Sequence, residues 1–463
     1  MGELTLLNHS SLLIKCNGKY ILTDPWHEKP AFTSWLPVFP EYIHPTYIAS
    51  LGSSICILIS HAHDDHCDDD LLKIFSYKTK FIVSNCESIY RRLKSLGFND
   101  INQIESNGQE EINIFDTFHI RSFMRKSFTD EDSLYTIRCD DGVVIHANDC
   151  WPAIDEDYSK IIRKEIEKTS SNKGYIFSQT NSATGYPSTY SQYTEIEKQE
   201  RLRQKVMDMI QGSIVNFKKL NLDGMFSYAG FSKPHLSDKI YDIEFTTSKY
   251  LNDTYLENSE IKYVDFYPGD VLNIKNGSVN KAFVSSDDYS DNNVKHLSDK
   301  YYSQYGIINK TDIVKEFSLS QATLEELIWF MEQLKIFSQK FLKKDLPDKD
   351  YKEMAKKSFR IKFSDQEISN TIFFSNEKLN LSKSVNKTCI VDSKIFKGVL
   401  YGKILFESLY VGYLAEWERQ PLEIYNKDII LLVISFAYYY QNNLVKDYLL
   451  KFEDSRHELN RIN

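Results

Sequence analysis

Paired cysteine is the first thing this sequence lacks. Its seven cysteines, Cys16, Cys56, Cys67, Cys86, Cys139, Cys150 and Cys389, are odd in number and include no Cys-x-x-Cys. That argues against a disulfide framework or a zinc ribbon and suits a reducing cytoplasm. Nor is there a Cys-x-His paired with a Cys-x-x-His, so no Rieske iron–sulfur domain is expected in this chain. Basic excess is missing too: 56 Lys and Arg face 65 Asp and Glu, a net charge of −9. A general nucleic-acid binder, which must neutralise phosphates, is thereby disfavoured. The opening MGELTLLNHS has no basic segment followed by an apolar stretch, so no signal peptide is expected. The longest apolar run, IILLVISFAYYY at 429–440, is too short to span a bilayer and reads as a buried helix. No membrane partner is expected, and no internal repeat or low-complexity tract stands out.

What is present is an ordinary globular composition over 463 residues, rich in Tyr and Phe. Such a length suits about two or three domains. Residues 4–25 read as two strands flanking Asn17-Gly18, a strong hairpin signal. SICILIS (54–60) is a continuous apolar run, the pattern of a strand buried on both faces, and KFIVSN (80–85) is similar. Residues 112–124 and 133–149 supply further strands, the latter pair turning at 140–142. Residues 153–168 and 191–220 read as helices, with apolar positions three and four apart. Interleaved strands and helices give an α/β layout. A polar stretch at 284–300 marks a domain boundary, dividing 1–285 from 300–463. The second part starts helical, turns β-like around RIKFSD, NTIFFS and TCIVDS, and ends in helices.

The chemistry concentrates in LISHAHDDHCDD (58–69), where three histidines and several aspartates follow a buried strand. Alternate side chains of an extended segment face one side. His61 and His63 can therefore point at one metal, with Asp65 and His66 turned towards a second. One histidine alone would read as a solvated loop residue; three with aspartates after a buried strand read as ligands. Imidazole with carboxylate suits Zn, Fe or Mn and disfavours thiolate-only metals.

The pattern His-x-His-x-Asp-His resembles the first metal motif of the metallo-β-lactamase superfamily. The resemblance implies an αββα sandwich, here followed by a C-terminal α+β domain. It also implies later ligands in order: Asp149 in VVIHANDCWP as the bridge between two metals, and His235 in MFSYAGFSKPHLSDK at the second site. Asp24 in LTDPW matches the Asp that supports the metal loop, and His9 in NHSS an element that reaches the pocket. The flanks DPWHEKPAF (24–32), HANDCWP (146–152), SATGYP (182–187), YAGF with HLSDK (228–239) and YPGD (267–270) resemble the catalytic domain of the CMP-N-acetylneuraminate hydroxylases and bacterial relatives. That likeness runs from residue 1 to about 280. It implies an oxygenase acting on a nucleotide-linked or amino-sugar-like substrate, drawing electrons through a Rieske domain. Since that domain is missing here, a separate electron-donor protein is expected as a partner.

A second departure concerns the superfamily's third histidine. The loop RKSFTDED (125–132) has none, and His119 lies inside the preceding strand, where a sheet-face role is expected. The loop offers Asp130, Glu131 and Asp132, and Asp130 or Glu131 is the expected remaining ligand. A carboxylate in that position favours iron or manganese over zinc. The expected cofactor is thus two metal ions, Fe preferred, with Zn or Mn as alternatives. Asp65 is also the expected catalytic carboxylate. On the substrate side the expected residues are His9, Trp26, Lys29, Trp151 and Tyr228, aromatics with a polar handle being suited to a sugar or base. The alternative reading is a metal-dependent hydrolase of a phosphodiester, lactone or amide, in which the two metals activate a bridging water. Residues 392–425 resemble a sterol-carrier-like α/β module, which could dock on the catalytic domain or another subunit. A homo-oligomer stays open.

Overall fold

Asn17 and Gly18, both with positive φ (49° and 71°), turn the chain between the strands Ser11–Cys16 and Lys19–Thr23. This is the hairpin that the Asn-Gly pair calls for. The first expected strand, however, is two. Glu3–Asn8 and Ser11–Cys16 are antiparallel neighbours separated by a tight break at His9, whose φ is 36°. The computed structural model describes residues 2–27, 29–37, 43–124, 132–148, 154–180, 184–234, 247–282, 303, 309–345, 356–374, 385–423 and 427–453. The boundary region expected at 284–300 lies outside the described residues.

Two sheets face one another. The eight-stranded sheet runs, from edge to edge, Val279–Asn280, Val271–Asn273, Glu3–Asn8, Ser11–Cys16, Lys19–Thr23, Ile55–Ile59, Lys80–Ser84 and Ile101–Ile104. The six-stranded sheet runs Gly224–Tyr228, Gly174–Gln179, Gly142–Asn148, Ser133–Cys139, Phe118–Met124 and Ile112–Ile114. Between them lies one apolar layer that includes Leu6, Ile14, Leu58, Tyr135, Phe177 and Phe226. Helix Glu87–Ser95 covers the outer face of the first sheet through Ile89 and Leu93. Helices Glu156–Glu167 and Glu195–Leu220, both expected, cover the outer face of the second. The architecture is the expected αββα sandwich. Strand Ile55–Ile59 is buried at every position and parallel to both neighbours, which explains its unbroken apolar run.

The C-terminal part has a four-stranded sheet ordered Ser369–Phe373, Ser358–Phe363, Lys387–Val391, Glu416–Arg419. Helices Leu324–Asp345, Ser393–Leu400 and Lys427–Asn443 share its core, so the apolar run at 429–440 is a buried helix as expected. That core does not stop at the C-terminal part. It takes in Trp26, Phe32, Trp35, Tyr190 and Tyr193 from the sandwich.

The seam is hydrogen-bonded as well as apolar. The Trp35 indole donates to the Val411 carbonyl at 2.7 Å, the Trp417 N–H to the Thr189 carbonyl at 2.9 Å, and the Arg419 N–H to Gln192 Oε1 at 2.7 Å. Gly412 abuts the Phe32 carbonyl so closely that a Cβ there would collide with it. Gly412→Ala is expected to cost about 1–3 kcal/mol, the range for overpacking a tight contact. A lowered urea midpoint at unchanged m-value would show this; an unchanged midpoint would mean that the backbones have room to part.

Candidate metal centre

The loop after Ile55–Ile59 is anchored from beneath by Asp24. Asp24 follows strand Lys19–Thr23, has a φ of 37° and is fully buried. Its Oδ1 accepts the Ser60 N–H at 2.7 Å, and its Oδ2 accepts the Ser60 hydroxyl at 2.7 Å. Oδ2 also meets His66 Nδ1 at 3.0 Å and His146 Nε2 at 2.9 Å. Burial alone would push the Asp24 carboxyl up, but His146 and His66 outweigh it and hold it well below the usual carboxylate range. With Nδ1 engaged by Asp24 and by the Ser10 hydroxyl at 3.0 Å, His66 turns Nε2 outwards. A carboxylate fixing one ring nitrogen so that the other can ligate is the usual support of a metal-binding histidine.

His61 is set in the same way. Its Nδ1 lies 2.9 Å from the Ser60 hydroxyl and 3.1 Å from Asn148 Nδ2, leaving Nε2 to point outwards. On the far side of the loop, Arg92 of helix Glu87–Ser95 clamps Asp64 at 2.9 Å, Asp69 at 2.7 Å and the Ala62 carbonyl. Asp64 therefore faces away from the histidines. Asp68 accepts the N–H groups of Asp70 and Leu71 and caps the short helix Asp69–Leu72. Buried Cys67 has its thiol pushed up to about 12 by burial, so it offers no thiolate.

Two donor clusters result. In the first, His61 Nε2 and His63 Nδ1 converge to 2.6 Å, with Asp132 Oδ1 3.7 Å from His61 Nε2. In the second, Asp65 Oδ2 sits 3.4 Å from His9 Nε2 and 3.5 Å from His66 Nε2. The clusters adjoin, the His61 and His66 rings being 4.2 Å apart. The donor set suits metal: Asp65 is 6% exposed, yet its Oδ1 has no hydrogen-bond partner among the described residues. A buried, half-satisfied carboxylate between imidazoles is costly unless a cation completes it. Burial opposes ionisation of Asp65, but His66 and His9 hold its carboxyl well below the ordinary range. His61 is held well below the ordinary imidazole range by burial, then by its histidine neighbours, so it presents a neutral ring. At His63 burial acts downwards too, but Glu407 prevails and raises it to about 10.

The expectations fare unevenly. His61 and His63 come together, as do Asp65 and His66. Asp130, Glu131, Asp149, Trp151 and His235 lie outside the described residues; of the acidic loop, Asp132 is the residue seen beside His61. His9, expected on the substrate side, is instead brought to Asp65 and His66 by the break it makes between two strands. Trp26 is buried at 3% exposure, its indole donating to the Lys29 carbonyl and its ring edge-on to His9, so it offers no open platform. Lys29 makes a surface ion pair with Asp70 at 3.2 Å. Tyr228 is fully buried; its hydroxyl donates to the Ser10 carbonyl at 2.6 Å and lies 2.6 Å from His146 Nδ1, which makes it part of the Asp24 support. His119 pairs with Glu111 on a sheet face, as expected.

Sequence reasoning missed His146, Asn148 and Glu407. His146 carried a readable signal, a lone titratable residue within a buried strand. Glu407 carried none, because it reaches His63 only through the docked C-terminal part.

Asp24→Asn is expected to cost about 3–5 kcal/mol at pH 7, since it leaves a buried network with one partner altered. The depressed carboxyl contributes stability that is present above its ordinary value of 3.8 and lost as pH falls towards its lower folded value. Denaturant titrations from pH 7 to 3 should show wild type losing stability more steeply on acidification than Asp24→Asn. Parallel curves would remove Asp24 from this role.

Residues 3–181 match the model of the beta-lactamase superfamily domain. The cytidine monophosphate-N-acetylneuraminic acid hydroxylase of Asterias rubens is 26% identical over 297 residues, which are 59% of this chain and 42% of that protein. This chain thus spans less than half the length of that relative. Among solved structures, a metallo hydrolase from Ignicoccus hospitalis is 18% identical with a TM-score of 0.37, covering 58% of this chain and 97% of its own. The diiron β-hydroxylase CmlA of Streptomyces venezuelae is 14% identical with a TM-score of 0.34, covering 65% and 51%. Residues 3–181 are thus similar to the beta-lactamase superfamily domain, and they include His and Asp clusters that could hold metal ions.

Proposed function

We propose that this chain is a dinuclear-metal oxygenase, with iron as its preferred metal, acting on a nucleotide-linked or amino-sugar-like substrate. The observation that carries this reading is Asp132 beside His61 and His63, in the loop where the resemblance calls for a histidine. A carboxylate there adds negative charge and a hard oxygen donor, which favours iron or manganese over zinc. The curated relative is a hydroxylase by name, which gives the reading its substrate class.

In this reading His61, His63 and Asp132 hold one ion. Asp65 and His66, with His9 beside them, would hold the other, and Asp149 and His235, which lie outside the described residues, would supply the further donors that the resemblance implies. Iron, if bound there, would supply the redox chemistry of an oxygenase. The chain's own part is geometric and electrostatic. Asp24, Ser60 and Asn148 keep the ring nitrogens of His61 and His66 aimed outwards. Asp65 stays ionised, and the buried walls restrict water. Electrons are to come from a separate protein.

Metal analysis of protein purified without chelator or added metal is the test. One equivalent of iron or more per chain agrees with an oxygenase. Zinc alone, with cleavage of a phosphodiester, lactone or amide, reverses the reading towards hydrolysis. Asp132→Ala should lose about half of the bound metal, whereas Asp130→Ala should keep it all. The opposite outcome would move the ligand role to Asp130.

A further inference from the structure

Glu407 belongs to the C-terminal part, in the short turn Phe406–Leu409, yet its carboxylate lies in the metal-site region. Its Oε1 is 3.1 Å from His63 Nε2. The side chain is fully buried. Its Oε2 accepts the Tyr438 hydroxyl at 2.6 Å, from helix Lys427–Asn443. Two segments of the C-terminal part therefore cooperate to hold one carboxylate against one histidine of the sandwich.

The orientation of His63 gives this contact its meaning. Nδ1 lies on the ring edge that faces His61 Nε2, and so faces the donor cluster; Nε2 lies on the opposite edge, facing Glu407. The Phe32 ring meets His63 edge-on at 5.5 Å and restricts its rotation. A histidine that ligates through Nδ1 must carry its proton on Nε2, and a carboxylate accepting that proton fixes the tautomer and makes the ligating nitrogen more basic. An isolated buried carboxylate would be strongly disfavoured. Here Tyr438 satisfies one oxygen and His63 faces the other.

We infer that Glu407 is a positioning residue of the metal centre: the docked C-terminal part, through Glu407 locked by Tyr438, holds the Nε2–H of His63 so that Nδ1 is presented to the metal. This rests on the metal-centre reading above. It also gives the C-terminal part a role at the site, because the seam at Trp35, Gly412 and Trp417 sets where Glu407 stands.

The test compares wild type, Glu407→Gln, Glu407→Asp and Tyr438→Phe, full-length and stripped of metal. Folding is verified by circular dichroism and thermal unfolding. Zinc and anaerobic ferrous ion are then titrated against a competing chelator, and the zinc-loaded proteins are examined by imidazole 15N NMR, with His63→Ala assigning the His63 signals. Glu407→Gln should bind one of the two ions about 10–100-fold more weakly. Tyr438→Phe should weaken it less, and Glu407→Asp should restore part of the affinity. Wild type should show His63 metal-bound at Nδ1 and protonated at Nε2. Folded Glu407→Gln with wild-type affinity and unchanged His63 signals overturns this inference alone, as does a wild-type His63 that ligates through Nε2. Wild type that takes up no metal overturns both this inference and the reading beneath it.

Discussion

A single buried carboxylate, that of Asp24, connects the sheet to the site. An ionised carboxylate out of contact with water costs several kcal/mol unless charged or polar donors surround it. Asp24 receives the Ser60 N–H and hydroxyl, and meets His66 and His146 from two further segments. Those contacts tie the ends of strands Lys19–Thr23 and Ile55–Ile59 to strand Gly142–Asn148 of the facing sheet. They also leave the outward nitrogens of His61 and His66 nowhere to point but into the donor clusters. Charge-assisted hydrogen bonds of this kind are stronger and more directional than neutral ones, so the donor clusters are held in place by the fold itself.

Around that anchor the chain places restraints of different kinds. Arg92 grips the outside of the loop and takes Asp64 and Asp69 out of the ligand field. The positive φ of His9, in the turn between the antiparallel strands Glu3–Asn8 and Ser11–Cys16, lets its ring approach Asp65. From the opposite direction, the C-terminal part brings Glu407 to His63. The centre is thus assembled from the sandwich loops on one side and from a docked module on the other. The shared apolar core at the seam carries the second contribution, and the close approach at Gly412 sets its reach.

Much of this could be read from local pattern. The Asn-Gly hairpin, the unbroken apolar strand before His61 and the long helix over 195–220 each follow from the φ > 0 tolerance, two-sided burial or apolar spacing of a few adjacent residues. The pairing of His61 with His63, and of Asp65 with His66, was legible for the same reason: neighbours on an extended loop have few ways to point. Misreadings arose where a residue's role depends on distant partners. Trp26 and Tyr228 look like substrate aromatics beside matched motifs, but packing buries both, and the Tyr228 hydroxyl serves Ser10 and His146. Lys29 stays exposed, in a surface ion pair with Asp70.

By itself, the sequence determined the α/β layout, the metal-loop motif and the acidic character of the loop at 125–132, while the αββα layering came from the resemblance. Periodicity, turn chemistry and ligand spacing are local properties that need only a few consecutive residues. Tertiary structure alone brought Asp132 beside His61 among the described residues, His9 to Asp65, and Glu407 to His63. Each of those depends on which segments pack together across long stretches of chain. Burial then makes the choice consequential, because a charged group removed from water must find its partner in whatever the fold brings near.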